Sequence, residues 1–265
     1  MTNPILAIAQ LEIAVPDLPT QIHNYAALLD TAPLWQGSVD GKDIAILQTG
    51  NVAVHLVACE QSRGLRAIDF EVDSLARMQR RLKRVGIAAK EQTVGNADFA
   101  SHAPAQRLVA AKSDTRGIQL SFSERSPAAS SASALAKSSL DHIVIGSASA
   151  EGTAFLFGSQ LGLDMRMDIN RPQWKARLLF FRCGDLIIEV FQSLDDQKPP
   201  AETAKDHFYG LSWRVDNADT AQQRLTRAGF DVSAVRAGRR PDSRVLTVRN
   251  KTADVATLLI EPPYR

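Results

Sequence analysis

The chain has 265 residues and a formal net charge of +2, from 31 Lys and Arg against 29 Asp and Glu. So even a balance leaves no electrostatic footprint for nucleic acid or an anionic membrane surface. The two cysteines, Cys59 and Cys183, form neither a disulfide framework nor a metal-type spacing. No apolar run approaches the roughly 18 residues of a membrane span. The opening Met1-Thr2-Asn3-Pro4 lacks a basic stretch, so no signal peptide is expected and a cytoplasmic, reducing setting is the default.

Residues 5–15 read as a strand that ends at Val15-Pro16-Asp17. A helix follows near 19–29, with Ile22, Tyr25, Leu28 and Leu29 on one face. Strands are expected near 43–48 and 51–58, then at 66–72. Asp73 is placed to cap a helix over 74–85, and Gly86 to end it. Strands near 106–111 and 117–123 complete this half. Residues 124–138 are rich in Ser and Ala, with Leu135 the one large apolar residue. Such a tract cannot build a core and predicts a linker between domains at 1–123 and 139–265.

The second half repeats the order. A strand at 139–146 leads to a helix at 149–161, closed by Gly162. Strands at 176–182 and 186–192 are split by the tight turn Cys183-Gly184-Asp185. A strand at 208–215, a helix at 218–227, Gly229, and strands at 244–249 and 256–261 follow. The repetition is visible in letters. Phe70-Glu71-Val72-Asp73-Ser74, ending in Val85-Gly86-Ile87, parallels Trp213-Arg214-Val215-Asp216-Asn217, ending in Ala228-Gly229-Phe230. Four βαββ(β) units of about 55–60 residues describe the chain most simply.

Two ionisable residues sit inside apolar strand contexts: His142 in Leu140-Asp141-His142-Ile143-Val144-Ile145, and Glu189 in Leu186-Ile187-Ile188-Glu189-Val190-Phe191. A buried charge without a partner is costly, so the pair predicts mutual pairing, metal coordination or a wet cavity. On the strand at 208–215, Gly210, Ser212 and Arg214 share a face, and Arg214 suits a bidentate contact to a carboxylate or phosphate. Phe181, Phe191 and Trp174 are expected as aromatic walls. Arg236, Arg239, Arg240 and Arg244 cluster, with a solvated loop and an anion-binding lip both open as readings.

These segments resemble the vicinal oxygen chelate superfamily of glyoxalases, bleomycin-resistance proteins, epimerases and extradiol dioxygenases. Its carriers are Glu12-Ile13-Ala14-Val15-Pro16-Asp17-Leu18, the His142 and Glu189 strands, and the two Val-Asp-helix-Gly blocks. The resemblance implies an α+β fold of four βαβββ modules, paired into two domains whose curled mixed sheets enclose a cavity. It also implies a divalent metal (iron, nickel, zinc or manganese) held by inward residues on four strands. In the C-terminal half those positions fall on His142, Glu189, Gly210 and Leu258, and in the N-terminal half on Gln10, His55, Ala67 and Gln119. Further ligands are sought in His207 and Glu261.

The expected function is a glyoxalase-like enzyme acting on a small oxygenated metabolite at the C-terminal cavity, by lyase, isomerase, epimerase or dioxygenase chemistry. His142 and Glu189 are its expected catalytic and metal-binding residues. Ser212, Arg214, Phe181 and Phe191 are its expected substrate contacts. A dioxygenase would draw on His142, His207 and Glu261. The alternative is a metal-free protein of the same fold that sequesters a small molecule such as an antibiotic. Inward Gln10, Glu12, His55, Asp69 and Gln119 predict a polar N-terminal cavity. No nucleic-acid or membrane partner is expected, and a homodimer is compatible with the resemblance.

Overall fold

A computed structural model describes residues 3–95, 97–124, 137–195 and 205–263. Most of the predicted linker, residues 125–136, lies outside them. The first half runs β1 (Ile5–Val15), α1 (Leu18–Leu29), β2 (Pro33–Val39), β3 (Lys42–Gln48) and β4 (Ala53–Ala58). It continues β5 (Gly64–Val72), α2 (Leu75–Arg84), β6 (Ala89–Thr93), the short α3 (Ala97–Ala100), β7 (Gln106–Ala110) and β8 (Gln119–Glu124).

The second half begins with β9 (Ser139–Ser147) and α4 (Ala150–Ala154), which continues with wider π-type bonding over Phe155–Gln160. Next come β10 (Asp164–Arg171), β11 (Ala176–Cys183), β12 (Leu186–Ser193) and β13 (His207–Arg214). The half closes with α5 (Ala218–Arg227), β14 (Arg236–Ala237), β15 (Arg244–Val248) and β16 (Ala256–Glu261). The chain is therefore four βαβββ modules. None of its described helices is long and apolar enough to cross a membrane.

The modules pair into two eight-stranded mixed sheets, ordered β2-β3-β4-β1-β5-β8-β7-β6 and β10-β11-β12-β9-β13-β16-β15-β14. In each, the first strands of two modules meet antiparallel at the centre: β1 on β5 and β9 on β13. The sheets curl without closing, because no ladder among the described residues joins β2 to β6 or β10 to β14.

Local signals explain the helix boundaries. Asp17 accepts the Thr20 amide at 3.0 Å, and Asn217 accepts that of Thr220 at 2.8 Å. The cap of α2 is Ser74 rather than Asp73, which instead forms an ion pair with Arg77. Gly86, Gly162 and Gly229 end their helices at φ of 78°, 75° and 74°, where a side chain would be strained. One apolar cluster, with Leu11, Phe70, Phe122, Ile143, Phe157 and Trp213 among its members, runs through both halves.

Candidate functional site

The C-terminal site is set by a β-bulge. On the β9–β13 ladder His142 faces Ser212 and Leu140 faces Trp213, which leaves Asp141 without an opposite residue. Strict alternation would send Asp141 to the face away from His142, and a bulge can re-aim such a residue. Here Asp141 Oδ2 lies 2.8 Å from His142 Nδ1, and its other oxygen accepts Arg214 Nε at 2.7 Å. Burial pushes the Asp141 carboxyl up, but hydrogen bonds from His142 and Arg214 and their charges outweigh it, holding the group at about 2. An ionised carboxylate only accepts, so the Nδ1 of His142 carries the proton in this contact.

The opposite ring nitrogen looks into the sheet. His142 Nε2 is 2.8 Å from Ser212 Oγ and 3.6 Å from Glu189 Oε2. Glu189 arrives from β12, which runs parallel to β9, and it is buried. Its second oxygen is 3.5 Å from Arg239 Nη1, and that guanidinium lies 4.2 Å from the centre of the Trp174 ring. The result is a chain of contacts from Arg214 through Asp141, His142 and Ser212 or Glu189 to Arg239.

The structure brings His142, Glu189, Ser212 and, through Asp141, Arg214 together. Arg214 is committed to Asp141 and to the Asp185 carbonyl, the latter at 3.0 Å. On the β9–β13 ladder Gly210, expected at the third position, lies opposite Val144, and it is Ser212 that lies opposite His142. Ser212 in turn faces Leu258 on β16, so a hydrocarbon occupies the fourth position.

The structure places Phe181 in the core, on the strand face opposite to Glu189. It is fully buried and packs on Phe157 with ring centres 5.7 Å apart. Phe191 keeps the face of Glu189 and meets Tyr209 at 5.1 Å. His207 pairs with Gly146 at the far end of β13, where its ring fills the space a side chain there would need. Glu261 points to α5, accepting the Ala218 amide at 2.7 Å, with Arg244 Nη1 at 3.5 Å. Neither joins the His142 cluster. Asp141 gave no signal in the sequence because only the bulge aims it. Arg239 was visible as part of a basic cluster for which a solvated loop and an anion-binding lip were both open.

These donors do not fit the divalent metal that the resemblance implies. No three His, Cys, Asp or Glu side chains among the described residues converge on one point. The His142 nitrogen that would bind the ion is engaged by Ser212, a weak ligand when neutral, and Leu258 offers no donor.

The N-terminal half carries a polar cluster at the related positions. Gln10 faces Asp69, and Asp69 faces Ser121, so these residues replace the expected Ala67 and Gln119. Asp69 accepts hydrogen bonds from Ser121 Oγ at 2.5 Å and from Ser123 Oγ. His55 is buried against Phe99 of α3, edge to face, with ring centres 6.0 Å apart. Burial, then the nearby Arg107 charge, hold its pKa down at about 3. Phe99 is pinned by Trp35, whose indole donates to Asp98 Oδ2 at 2.7 Å. Val39, Ile44, Ile46, Val57 and Ala103 complete an apolar plug. Of the residues expected to line a polar cavity here, Gln10, His55 and Asp69 are buried.

Comparison with known proteins agrees with this architecture. Residues 141–247 match the family described as the Glyoxalase/Bleomycin resistance protein/Dioxygenase superfamily. No curated protein sequence matches. Among solved structures, a mutant 4-hydroxymandelate synthase from Streptomyces coelicolor is 15% identical, with a TM-score of 0.71 over 99% of this chain and 94% of that one. The 2,3-dioxygenase LapB from Pseudomonas sp. KL28 is 11% identical, with a TM-score of 0.73 over 100% and 94%. A Mn(II)-bound glyoxalase from Novosphingobium aromaticivorans is 13% identical, with a TM-score of 0.70 over 98% and 83%. Residues 141–247 thus resemble the glyoxalase, bleomycin-resistance and dioxygenase superfamily, and the whole chain shares the paired βαβββ fold of these solved structures.

Proposed function

We propose that the chain is an enzyme that moves a proton at a carbon beside a carbonyl, in a small oxygenated metabolite, at the C-terminal site and without a metal. Isomerase, epimerase and lyase reactions share this step. The observation that carries the reading is the aligned carboxylate, imidazole and hydroxyl of Asp141, His142 and Ser212, with both hydrogen bonds at 2.8 Å. Asp141 fixes the tautomer and orientation of the ring, which leaves Nε2 as the proton acceptor. The substrate C–H bond breaks and its electron pair forms an enolate. The proton passes to Nε2, directly or through the Ser212 hydroxyl, and the ionised Asp141 steadies the imidazolium. Return of the proton to either face, or loss of a leaving group from the enolate, completes the turnover. Glu189, 3.6 Å from Nε2, is placed to take the proton onward.

The test is exchange of α-protons into deuterated water, followed by proton NMR on 2-oxobutanoate and hydroxyacetone. The wild-type protein is expected to accelerate exchange on at least one of them. His142→Gln is expected to remove about 100-fold or more of that rate, the usual scale of general acid–base catalysis. Wild-type exchange no faster than buffer would sink the proposal and favour a non-catalytic binding protein. Equal rates for wild type and variant would take His142 out of the mechanism.

A further inference from the structure

Two guanidiniums flank one exposed indole at the mouth of the C-terminal site. Arg239 lies 4.2 Å and Arg171 5.8 Å from the centre of the Trp174 ring. Each is carried on a tight turn. Trp174 and Arg171 belong to the short helical turn between β10 and β11, which ends with Lys175 in the left-handed region at φ 46°. Arg239 sits in a turn closed by Gly238 N donating to the Ser243 carbonyl at 2.8 Å, and by Ser243 N donating to that of Arg240 at 3.1 Å. An arginine presented this way loses little freedom on meeting a ligand.

The hydrogen bonding at this mouth is incomplete. Arg171 Nε is buried and has no hydrogen-bond partner among the described residues. Arg239 remains 65% exposed and reaches its carboxylate partner, Glu189, only at 3.5 Å. A buried donor without an acceptor is costly, and a guanidinium on an aromatic face keeps its N–H edge free for a second, in-plane partner. Arg240 follows Arg239 on the same exposed turn, with Asp242 two residues on.

We propose that Arg171, Trp174 and Arg239 form a subsite for an oxyanion, so that the substrate bears a carboxylate or phosphate group. This deepens the proton-transfer reading, on which it rests for the identity of the site. The incoming oxyanion replaces Glu189 as the partner of Arg239, and the Arg171 guanidinium on the same ring adds to its attraction. Its chemistry is that of planar, forked recognition, which carboxylates and phosphates share and neutral carbonyl compounds do not. Arg239 and Arg171 are therefore specificity-determining residues, distinct from the proton carrier His142.

Calorimetric titration of the full chain with malonate, and with malonamide as its neutral counterpart, tests the subsite. Malonate is expected to bind saturably and to change the Trp174 fluorescence, and malonamide to do neither. Arg239→Gln and Arg171→Gln are each expected to weaken malonate binding at least tenfold, whereas Arg236→Gln, which bonds Ser233 and Thr247 elsewhere, leaves it unchanged. Displacement of malonate by inorganic phosphate assigns the subsite to phosphate esters, and its failure assigns it to carboxylates. Trp174→Phe should abolish the fluorescence change while calorimetry still records binding. Equal behaviour of malonate and malonamide, or undiminished malonate binding by Arg239→Gln, would overturn the proposal. His142→Gln should retain malonate binding, so a failed subsite and a failed proton transfer give different results.

Discussion

Asp141 couples the C-terminal site to the stability of the fold. Its folded pKa of about 2 lies below the ordinary aspartate value of 3.8. A group depressed in this way adds stability that is complete above its unfolded pKa and drains away as pH falls through the folded one. The difference corresponds to about 2 kcal/mol. Asp141→Asn is therefore expected to flatten the stability profile between about pH 4 and pH 2, as read by urea unfolding at a series of pH values. The same variant should lower proton exchange on the order of 100-fold, because an amide no longer fixes the ring tautomer.

His55 gives the corresponding effect at a higher pH. Burial lowers its pKa from the ordinary 6.5 to about 3, so folding stability is greatest above 6.5 and falls as pH drops toward 3. His55→Gln should remove that loss, and unfolding at pH 7 and pH 4.5 would reveal it. His142 and Glu189 could be read from the sequence because each interrupts an apolar strand. Asp141 could not, since period-two alternation assigns it to the other face and only a bulge reverses that. The ladder likewise sets Ser212 rather than Gly210 opposite His142, and no residue type announces that register.

At the level of elements, the central strands and the main helices were legible because their apolar periodicity and caps are clear. The strands missed were the sheet ends. β6 is almost wholly exposed, as is β10, so neither carries the alternation that burial on one face imposes. β2 alternates only weakly, and β14 has two residues. The α3 turn was also missed, although it decides the state of the N-terminal half. Phe99 is buried and closes the cluster around His55. Phe99→Ala is expected to cost about 3–5 kcal/mol in chemical unfolding. In the folded variant the His55 pKa should move up toward its ordinary value, as followed by NMR titration. An unmoved value would show that the plug is not what keeps water from His55.

The two sheets meet along a bonded seam. Asn51 of the first half receives the Leu140 amide at 2.8 Å and donates to the Leu140 carbonyl at 2.9 Å, immediately beside Asp141. Tyr25 donates to the Thr252 carbonyl at 2.9 Å, and Arg81 to that of Gln160 at 2.8 Å. Deepest is Asp206, which holds Arg116 of the other half through two bonds at 2.8 and 3.2 Å and accepts Ser147 and Thr153 hydroxyls at 2.8 and 2.7 Å. Breaking such a buried pair from one side leaves an unsatisfied charge. Asp206→Asn should therefore cost about 3 kcal/mol, with both halves unfolding in one transition. Sequence reasoning found the duplication but none of this seam, because contacts far apart in the chain leave no local pattern.

The N-terminal half thus buttresses β9 at the point where Asp141 and His142 are set, in the half to which we assign the reacting groups. Proton transfer by His142 without a metal is where this arrangement meets experiment most directly. The decisive measurement is the α-proton exchange rate of chelator-treated protein, before and after titration with manganese, zinc, iron and nickel. An unchanged rate, abolished by His142→Gln in every case, is expected. A protein inert after chelation and restored by stoichiometric metal would contradict it.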